Sequence, residues 1–371
     1  GHDVTPAQVV AHRVRVQQLD VTDNDVAGAA VLDLGVQDTG TGGALWALAA
    51  RGAEPPDPGD LALAWTLRGA PHLYRRADLA QVARAVRPLS EADAAKRVFD
   101  ASRPLKAAGI PVLTALERVA AEMADIVTGP MVKGEVSTEL TKRLPEPYLR
   151  WCRPCQATHL YEQPFRLSAL QAGLELEPGT SPPVLRPVSG LRQGTGGPDG
   201  EVVDPRLQVV RGALHLLGPS TPTLVAGFLD AAVAAVRAAW PGDVAEVTVD
   251  GQRRWALEGD LGSLVRPADV RGVRLLGSHD LLLQARDRDL LVPDPARAKS
   301  LWPVLDGRGP LLVDGRLAGL WRPRARGRGL DLRLELWAAL SARSRRELEV
   351  QAGRLADHRG LSLTGLETAG G

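Results

Sequence analysis

The chain has 371 residues, 44% of them hydrophobic and 24% charged, with a formal net charge of +1, which predicts about two to four globular domains. The near-neutral charge excludes a uniformly basic nucleic-acid coat, and the presence of only two cysteines excludes a disulfide framework and favours a reducing compartment. Because the sequence has neither a signal-peptide pattern nor an apolar run of membrane-spanning length, we expect a soluble cytoplasmic protein without a membrane partner.

The first quarter of the chain predicts three short helices followed by a pair of strands. Thr5 before a proline is a typical N-cap, and the helix that follows it extends to about residue 18. Apolar residues at helical spacing predict a second helix over 23–34 and a third over 43–51, with Thr41 as the cap of the third. The alternating, aromatic segment LALAWTLRGAPHLYRR then predicts a strand or hairpin. This order is typical of a winged-helix domain.

The same order recurs twice further along the chain. An amphipathic stripe over 112–127 ends at a Gly-Pro pair, and a second helix follows it to about Arg143. A helical run over 206–217 also ends at Gly-Pro, and a helix over 221–239 follows. The segment EVTVDGQRRWALE then forms two alternating runs around an Asp-Gly turn, which is a strong hairpin signal. The sequence therefore predicts tandem winged-helix domains.

Beyond about residue 260 the pattern changes to strands. The segments VRLLGSHDLLLQ, PLLVDGRLAGLWRP and LDLRLELWAAL precede a helix over 341–357, which predicts a small antiparallel β-barrel, or a curved sheet, closed by a C-terminal helix. The whole chain is thus predicted to be α+β. Its predicted parts are a winged-helix domain over 1–105, a second over 106–178, a Gly/Pro-rich linker or loop over 179–205, a third winged-helix domain over 206–262 and the β-barrel domain over 263–371.

A C-x2-C-x3-H motif lies in the segment WCRPCQATHLYEQ. Cys152, Cys155 and His159 could provide three ligands to Zn²⁺, but a structural zinc site requires four. The fourth could come only from Glu162 or His215, through the tertiary fold. Two buried thiols in a strand are the alternative, and we favour it. We therefore predict no metal site.

Basic residues cluster at two places that suggest a nucleic-acid partner. The run RPRARGR contains no acidic residue and separates two strand-like segments, so it predicts a basic hairpin tip. An exposed charged turn is the alternative, but arginine binds phosphate in a bidentate manner, and we favour a DNA contact. The helix that ends near residue 143 could also face a duplex. The predicted DNA-binding residues are Lys133, Lys142, Arg143, Arg322, Arg324, Arg326 and Arg328.

A polar segment interrupts the helical pattern at Gln37, Asp38 and Thr39. An amide beside a carboxylate can position and deprotonate a water for hydrolysis at a sugar carbon. A helix end followed by an Asx turn is the alternative, and the local sequence alone favours it. The adjoining GTGG follows a helix rather than a strand, which argues against a dinucleotide-binding loop, so we expect no nucleotide cofactor.

The order of five segments resembles that of a known family. LGVQDTGTGGALWALAARG, TLRGAPHL, GPMVKGEVSTEL, LLGSHDLLLQARDRDLLVP and VDGRLAGLWR are similar to segments of the bacterial winged-helix DNA glycosylases of azinomycin resistance and interstrand-crosslink repair, over about residues 5–358. The resemblance implies a C-shaped clamp on double-stranded DNA, in a monomeric, nucleoid-associated bacterial protein. It also implies hydrolytic removal of N7- or N3-alkylated purines, and of some interstrand crosslinks, without a metal or other cofactor.

The catalytic signature of that family is Gln, an apolar residue, then Gln or Asp. It corresponds here to Gln37, Asp38 and Thr39, and only the first position matches. The resemblance implies that Gln37 orients the water. Asp38 occupies the apolar position, and as an enzyme the protein would use it to supply negative charge, whereas Thr39 can accept a hydrogen bond but is no base. We expect a monofunctional glycosylase. The alternative is a protein of the same fold that binds DNA or recognises damage without cleaving.

Overall fold

The structure is a computed structural model that describes residues 1–40, 42–54, 57–191, 202–302 and 308–369. The predicted α+β class is confirmed. The α-helices of the described residues are α1 (Pro6–Val16), α2 (Val31–Leu34), α3 (Gly43–Ala49), α4 (Leu79–Ala85), α5 (Glu91–Arg97), α6 (Ser102–Ala107), α7 (Val112–Ile126), α8 (Lys133–Arg143), α9 (Glu162–Ala169), α10 (Val209–Leu217), α11 (Pro222–Leu229), α12 (Val233–Ala238), α13 (Leu261–Val265), α14 (Arg288–Leu291), α15 (Pro295–Leu301) and α16 (Ala342–His358).

The strands are grouped in four sheets. Those of the described residues are β1 (His2–Val4), β2 (Val36–Gln37), β3 (Leu61–Trp65), β4 (Pro71–Arg75), β5 (Met131–Val132), β6 (Leu149–Cys152), β7 (Ala157–Leu160), β8 (Leu174–Leu176), β9 (Val184–Pro187), β10 (Val244–Val249), β11 (Gln252–Leu257), β12 (Val273–Leu275), β13 (Gly309–Val313), β14 (Arg316–Arg326), β15 (Gly329–Leu336) and β16 (Ser362–Ala369). No helix in the described ranges has the length and apolar character needed to cross a membrane.

The first helices only partly agree with the sequence prediction. Helix α1 begins at Thr5 as expected, with a reciprocal capping box between Thr5 and Gln8. The helix predicted over 23–34 is wrong for most of its length, since α2 contains only its last four residues. The side chain of Asp25 accepts a hydrogen bond from the backbone N–H of Gly28 at 2.6 Å, a local turn that competes with helix formation. Thr41, the predicted cap of α3, lies outside the described residues.

A six-stranded sheet organises the N-terminal half, in the order β2-β4-β3-β8-β9-β5. It combines strands from both sides of the predicted domain boundaries at residues 105 and 178, so those boundaries pass through one hydrogen-bonded sheet. The prediction of a linker is wrong for Val184–Pro187, which forms β9 between β8 and β5. Burial explains this, because Leu185 is fully buried in the main apolar cluster. Residues 192–201 of the predicted linker lie outside the described ranges.

The two later helix-helix-hairpin units are present. Helices α7 and α8 precede the antiparallel pair β6–β7, and α10 and α11 precede the pair β10–β11. The predicted Asp250-Gly251 turn is confirmed, with φ angles of 48° and 75°. The helix predicted over 221–239 is divided into α11 and α12, because Asp230 adopts a left-handed conformation. The assignment of these units as winged helices remains a prediction.

The C-terminal sheet has the order β12-β13-β14-β15-β16. The prediction of an antiparallel barrel that ends in a helix is wrong in two respects, whereas the alternative of a sheet covered by a helix agrees with the structure. First, strand β16 follows α16 and pairs parallel with β15. Second, β12 and β16 are the two edges of an open sheet within the described residues. Helix α16 explains why closure is not needed, since Leu348, Ala352 and Leu355 are buried in a common cluster with the sheet residues.

Two buried contacts attach helix α3 to the C-terminal half. The indole N–H of Trp46 donates to the carbonyl oxygen of Leu275 at 2.7 Å. Arg51, just beyond α3, donates to both carboxylate oxygens of Asp280 at 2.8 Å, and the side chains of this ion pair are each 1% exposed. Asp280 in turn accepts from the backbone N–H of Leu282, at the start of the turn that carries Gln284. Helix α3, which follows the polar segment at Gln37, is therefore connected through Arg51 and Asp280 to the turn that carries Gln284.

Candidate active site

Gln37 lies at the end of a short edge strand whose position depends on a glycine. Strand β2 pairs with β4, so that Gln37 is opposite His72. The chain turns at Gly35, two residues before Gln37. Gly35 has a φ of 95°, and a Cβ atom there would lie 2.5 Å from the phenol ring of Tyr74. Beyond the strand, the backbone N–H of Asp38 donates to the carbonyl oxygen of Pro71 at 2.8 Å. The polar segment is therefore anchored to β4 on both sides of Gln37.

The side chain of Gln37 is held at both ends of its amide. Its Oε1 accepts a hydrogen bond from Nη2 of Arg68 at 2.7 Å, and its Nε2 donates to Oγ1 of Thr39 at 3.0 Å. The same Nη2 of Arg68 donates to Oε1 of Gln284 at 2.9 Å. Gln284 is fixed in turn, because its Nε2 donates to the carbonyl oxygen of His279 at 2.7 Å. These contacts form a continuous polar chain from Thr39 to His279.

Arg68 is a largely buried cation at the centre of this chain. It occupies the turn between β3 and β4 with a φ of 58°. Its Nη1 donates to the carbonyl oxygen of Phe228 at 2.9 Å, and the guanidinium lies 5.0 Å from the Phe228 ring centroid. Burial, followed by repulsion from Arg286, lowers the pKa of Arg68 to about 10. The side chain therefore stays charged at neutral pH, and it forms no ion pair with the carboxylates of the described residues.

Asp38 has a structural role in addition to any catalytic one. Its Oδ1 accepts a hydrogen bond from the backbone N–H of Ala44 at 3.0 Å, in the first turn of α3. This contact differs from the predicted Asx turn, in which the carboxylate would accept from the N–H two residues on. It lies instead at the N-terminus of the next helix, where a carboxylate satisfies a free donor and interacts favourably with the helix dipole. The second carboxylate oxygen makes no hydrogen bond to the described residues. Thr39, by contrast, is exposed and shares its hydroxyl with Gln37.

A neutral histidine lies beneath the site. His72 is 2% exposed, and its Nδ1 is 2.9 Å from the carbonyl oxygen of Ala70, so Nδ1 carries the proton. Burial, with a smaller contribution from Arg68, lowers the pKa of His72 to about 3. The pKa of His279 is also lowered, by burial and by Arg68. Both imidazoles are therefore neutral at physiological pH, and they add no further positive charge around Gln37.

Sequence reasoning did not identify Arg68, His72 and Gln284 as site residues. They lie 31, 35 and 247 residues beyond Gln37 in the chain, and no local pattern connects them. A usable signal was nevertheless present. Two of the five segments that carry the family resemblance, TLRGAPHL and LLGSHDLLLQARDRDLLVP, contain all three residues.

The basic residues predicted on helix α8 are neutralised by acidic neighbours. Lys142 pairs with Glu139 at 2.6 Å, and Arg143 pairs with both Glu122 and Asp125. These two side chains are not brought to the Gln37 site by any contact within the described residues.

Lys133 differs from the other two cations of α8 because it is connected to the site. Its Nζ contacts Oε1 of Glu162 at 2.5 Å, and the same oxygen accepts from Arg166. Arg166 also donates to the carbonyl oxygen of Gly69, next to Arg68. Glu162 and Arg166 therefore connect Lys133 to the backbone next to Arg68.

The predicted basic hairpin is present. Strands β14 and β15 meet in register at Arg326 and Gly329, so Gly327 and Arg328 form the tip. Successive side chains alternate along a strand, which places Arg322, Arg324 and Arg326 on one face. All four arginines are exposed. Arg324, Arg326 and Arg328 have no carboxylate partner in the described part of the chain.

The cysteine motif lies in the β6–β7 hairpin. One ligand atom from each of Cys152, Cys155 and His159 lies within 4.8 Å of the others. Cys155 is exposed and Cys152 only partly buried, so the prediction of two buried thiols is wrong. The reason is that the turn of this two-stranded hairpin projects away from the core. Glu162 and His215 are not part of the cluster, since Glu162 pairs with Lys133 and His215 with Asp260.

Comparison with known proteins identifies the family. The family model described as DNA glycosylase AlkZ-like matches residues 31–358. No curated protein matches the sequence. Among solved structures, the chain is similar to the DNA glycosylase AlkZ of Streptomyces sahachiroi, with 19% sequence identity and a TM-score of 0.72 over 99% of this chain and 100% of that chain. At this identity the structural likeness shows a shared fold, whereas the family model extends over most of the sequence. The chain belongs to the AlkZ-like family of DNA glycosylases.

Proposed function

We propose that the protein is a monofunctional DNA glycosylase that hydrolyses the N-glycosidic bond of N7- or N3-alkylated purines in double-stranded DNA. The observation that carries this proposal is the fixed amide of Gln37, held between Arg68 and Thr39 at 2.7 and 3.0 Å. An amide restrained on both sides can orient one water without reorganising during the reaction. Membership of the glycosylase family supports the reaction class.

The absence of a strong base at Thr39 restricts the substrates that we propose. An alkylated purine carries a positive charge and leaves as a neutral base, so the sugar develops oxocarbenium character before water attacks. Such a cation captures water without prior deprotonation by a strong base. In the proposed site, Oε1 of Gln37 and the hydroxyl of Thr39 accept hydrogen bonds from this water. Crosslinks attached through N7 of a purine carry the same charge and belong to the same substrate class.

The two charged side chains of the site, Asp38 and Arg68, have opposite effects on a cationic transition state. The second oxygen of Asp38, which makes no hydrogen bond to the described residues, provides negative charge to the electron-deficient sugar, although Asp38 occupies the apolar position of the family signature. Arg68 opposes a cationic transition state, because it is charged and lacks a carboxylate partner among the described residues. We propose that a phosphate of the bound DNA neutralises Arg68, so that its repulsion of the cationic transition state is small only when a duplex is present.

We propose that the basic hairpin, rather than helix α8, is the main phosphate-binding element. Arg324, Arg326 and Arg328, at and near the β14–β15 tip, have no acidic partners in the described residues, so they can contact phosphate without first breaking an ion pair. Lys142 and Arg143 must give up contacts with Glu139, Glu122 and Asp125. The clamp on double-stranded DNA, the monomeric state and the location at the nucleoid are proposals of the same kind.

Excision of N7-methylguanine from a defined duplex tests the proposal. Wild-type protein should convert a single lesion to an abasic site that alkali cleaves, and Gln37→Ala should lose this activity while it still binds DNA. Gln252→Ala, at an exposed position in β11, is the matched control and should behave as the wild type. Wild-type protein that binds the duplex but produces no abasic site would refute the proposed glycosylase activity.

A protein that binds DNA without cleaving is the second candidate. Two observations favour it: Thr39 occupies the position at which the family signature has Gln or Asp, and Asp38 is engaged as a helix cap. The same assay separates the two functions, because binding without excision by both wild-type protein and Gln37→Ala supports the damage-recognition role.

A further inference from the structure

We propose that the β6–β7 hairpin is a zinc site formed by Cys152, Cys155 and His159, with an open fourth position. The three ligand atoms lie within 4.8 Å of one another. Zinc bonds of about 2.3 Å to sulfur and about 2.0 Å to nitrogen place tetrahedral ligand atoms about 3.5–3.8 Å apart. The side chains therefore need to approach by roughly 1 Å, which rotation about their side-chain bonds can supply.

The backbone of the hairpin brings the three residues to one side. Cys152 is directly opposite Ala157, and His159 is opposite Arg150. Directly opposed residues of a strand pair share a face, and residues two apart on one strand share it too. Cys152 and His159 are therefore diagonal neighbours on the same face of the hairpin.

The turn explains how Cys155 joins this pair. Gln156 follows it in a left-handed conformation with a φ of 50°, and its backbone N–H donates to the carbonyl oxygen of Arg153 at 3.3 Å. Its side-chain Nε2 donates to the same carbonyl oxygen at 2.7 Å. A bulky residue adopts this conformation at an energetic cost. The turn is thus closed so that Cys155 returns over Cys152.

The tautomer of His159 is the one that a metal ligand requires. Its Nδ1 is 2.8 Å from the carbonyl oxygen of Leu160, so Nδ1 carries the hydrogen and donates a hydrogen bond to that oxygen. The lone pair of Nε2 is then available for a metal ion. Histidines that bind zinc characteristically donate their other ring N–H to a carbonyl or carboxylate, which fixes the ring and its basicity.

Exposure and charge are also consistent with a metal site. Cys155 is exposed and Cys152 partly buried, which leaves a path for the ion. Two thiolates and a neutral imidazole balance the charge of Zn²⁺. Among the described residues, no further histidine, cysteine or acidic side chain joins the cluster as a fourth ligand. A water molecule therefore completes the proposed coordination, and the ion holds the turn of the hairpin in place.

Cobalt titration of the full-length, reduced and metal-stripped protein tests the site. Co²⁺ bound by two thiolates gives a charge-transfer band in the near ultraviolet and intense visible bands in tetrahedral geometry. We expect these bands to saturate at one ion per chain and to disappear on addition of Zn²⁺. Cys155→Ser and His159→Ala should each weaken Co²⁺ binding by about 100-fold or more, given that loss of even an outer partner costs 10–100-fold.

Two controls make the result decisive. His215→Ala removes a histidine that pairs with Asp260 outside the hairpin, so its titration should match the wild type. The mass of the protein isolated without reductant distinguishes the competing fate of the thiols, since a Cys152–Cys155 disulfide lowers it by two hydrogen atoms. The absence of a saturable band in the reduced wild type, equal binding by Cys155→Ser, or stoichiometric disulfide with no zinc overturns the proposal.

Discussion

Nη2 of Arg68 donates hydrogen bonds to Oε1 of Gln37 at 2.7 Å and to Oε1 of Gln284 at 2.9 Å. One guanidinium nitrogen thus joins a residue of β2 to a residue of the C-terminal half, across sequence separations of 31 and 216 residues from Arg68. The orientation of the proposed water-binding amide is therefore decided by a side chain that is distant in sequence.

Arg68→Met should reduce excision of N7-methylguanine by about 10- to 100-fold, because loss of a hydrogen bond from a charged group costs about 1.5–3 kcal/mol. The Gln37 amide would then be held only by its hydrogen bond to Thr39. Single-turnover kinetics measure the effect, and the thermal midpoint of unfolding checks that the fold persists. An unchanged excision rate in a folded Arg68→Met protein would show that Gln37 does not depend on this contact.

Substitutions at Asp38 should distinguish the helix-capping role of its side chain from the effect of its negative charge on excision. Asp38→Ala removes the acceptor for Ala44 N–H and should lower the free energy of unfolding by about 1 kcal/mol. Asp38→Asn keeps an acceptor, so its stability should stay close to that of the wild type while excision slows. Denaturant unfolding and single-turnover kinetics on both variants provide the comparison. If Asp38→Asn excises at the wild-type rate, the carboxylate is a cap and contributes no charge to the reaction.

Thr39→Asp restores a carboxylate at the third signature position. Because Thr39 is exposed, the substitution should change stability little, and we expect faster excision of N7-methylguanine by about 10-fold. The larger effect should appear with neutral damaged bases, whose departure needs more help from the enzyme. Excision time courses on duplexes with N7-methylguanine or hypoxanthine measure both effects. A slower reaction on both substrates would contradict the proposed water-binding role of this position.

The double variant Arg324→Ala/Arg326→Ala should flatten the salt dependence of DNA binding. Each phosphate contact contributes about 0.9 to the slope of log K against log salt, so the slope should decrease by about 1.8. The matched control is Lys142→Ala/Arg143→Ala, whose cations are already paired with Glu139, Glu122 and Asp125.

Fluorescence anisotropy at several salt concentrations gives both slopes. The control pair should alter the slope much less than the hairpin pair. Equal slopes for the wild type and the hairpin variant would show that the β14–β15 hairpin does not contact DNA phosphates.

His72 should make the fold less stable in acid. Its pKa is about 3 in the folded protein against an ordinary value of 6.5, so the unfolded chain binds a proton that the folded chain does not. The free energy of unfolding therefore falls as pH decreases from about 6.5 towards 3, by about 1 kcal/mol per pH unit for this group. His72→Asn can still donate to Ala70 but does not titrate. Urea unfolding from pH 7 to pH 4 should give a shallower decline for His72→Asn, and parallel declines would exclude His72 as the cause.

Local signals allowed much of the secondary structure to be predicted. The Thr5-Pro6 cap, the stripe of α7, the Gly-Pro breaks and the Asp250-Gly251 turn each depend on neighbouring residues, so their conformations follow from short-range sterics and hydrogen bonds. The polar segment at Gln37 was also recognisable from sequence, through its resemblance to a family motif.

Long-range contacts decided the remainder. The parallel pairs β1–β10 and β15–β16, and the sheet that joins β2 to β5, depend on burial and backbone pairing between distant segments. Likewise, the pairing of Lys142 and Arg143 with acidic residues and the contact of Arg68 with Gln37 require side chains from separate elements. Local sequence indicated most turns and several helix starts, such as that of α1, but it did not indicate the start of α2 or the break after α11. Which polar groups meet depends on the tertiary structure, because buried donors and acceptors from separate elements satisfy one another there, as Arg68 does with the amide oxygens of Gln37 and Gln284.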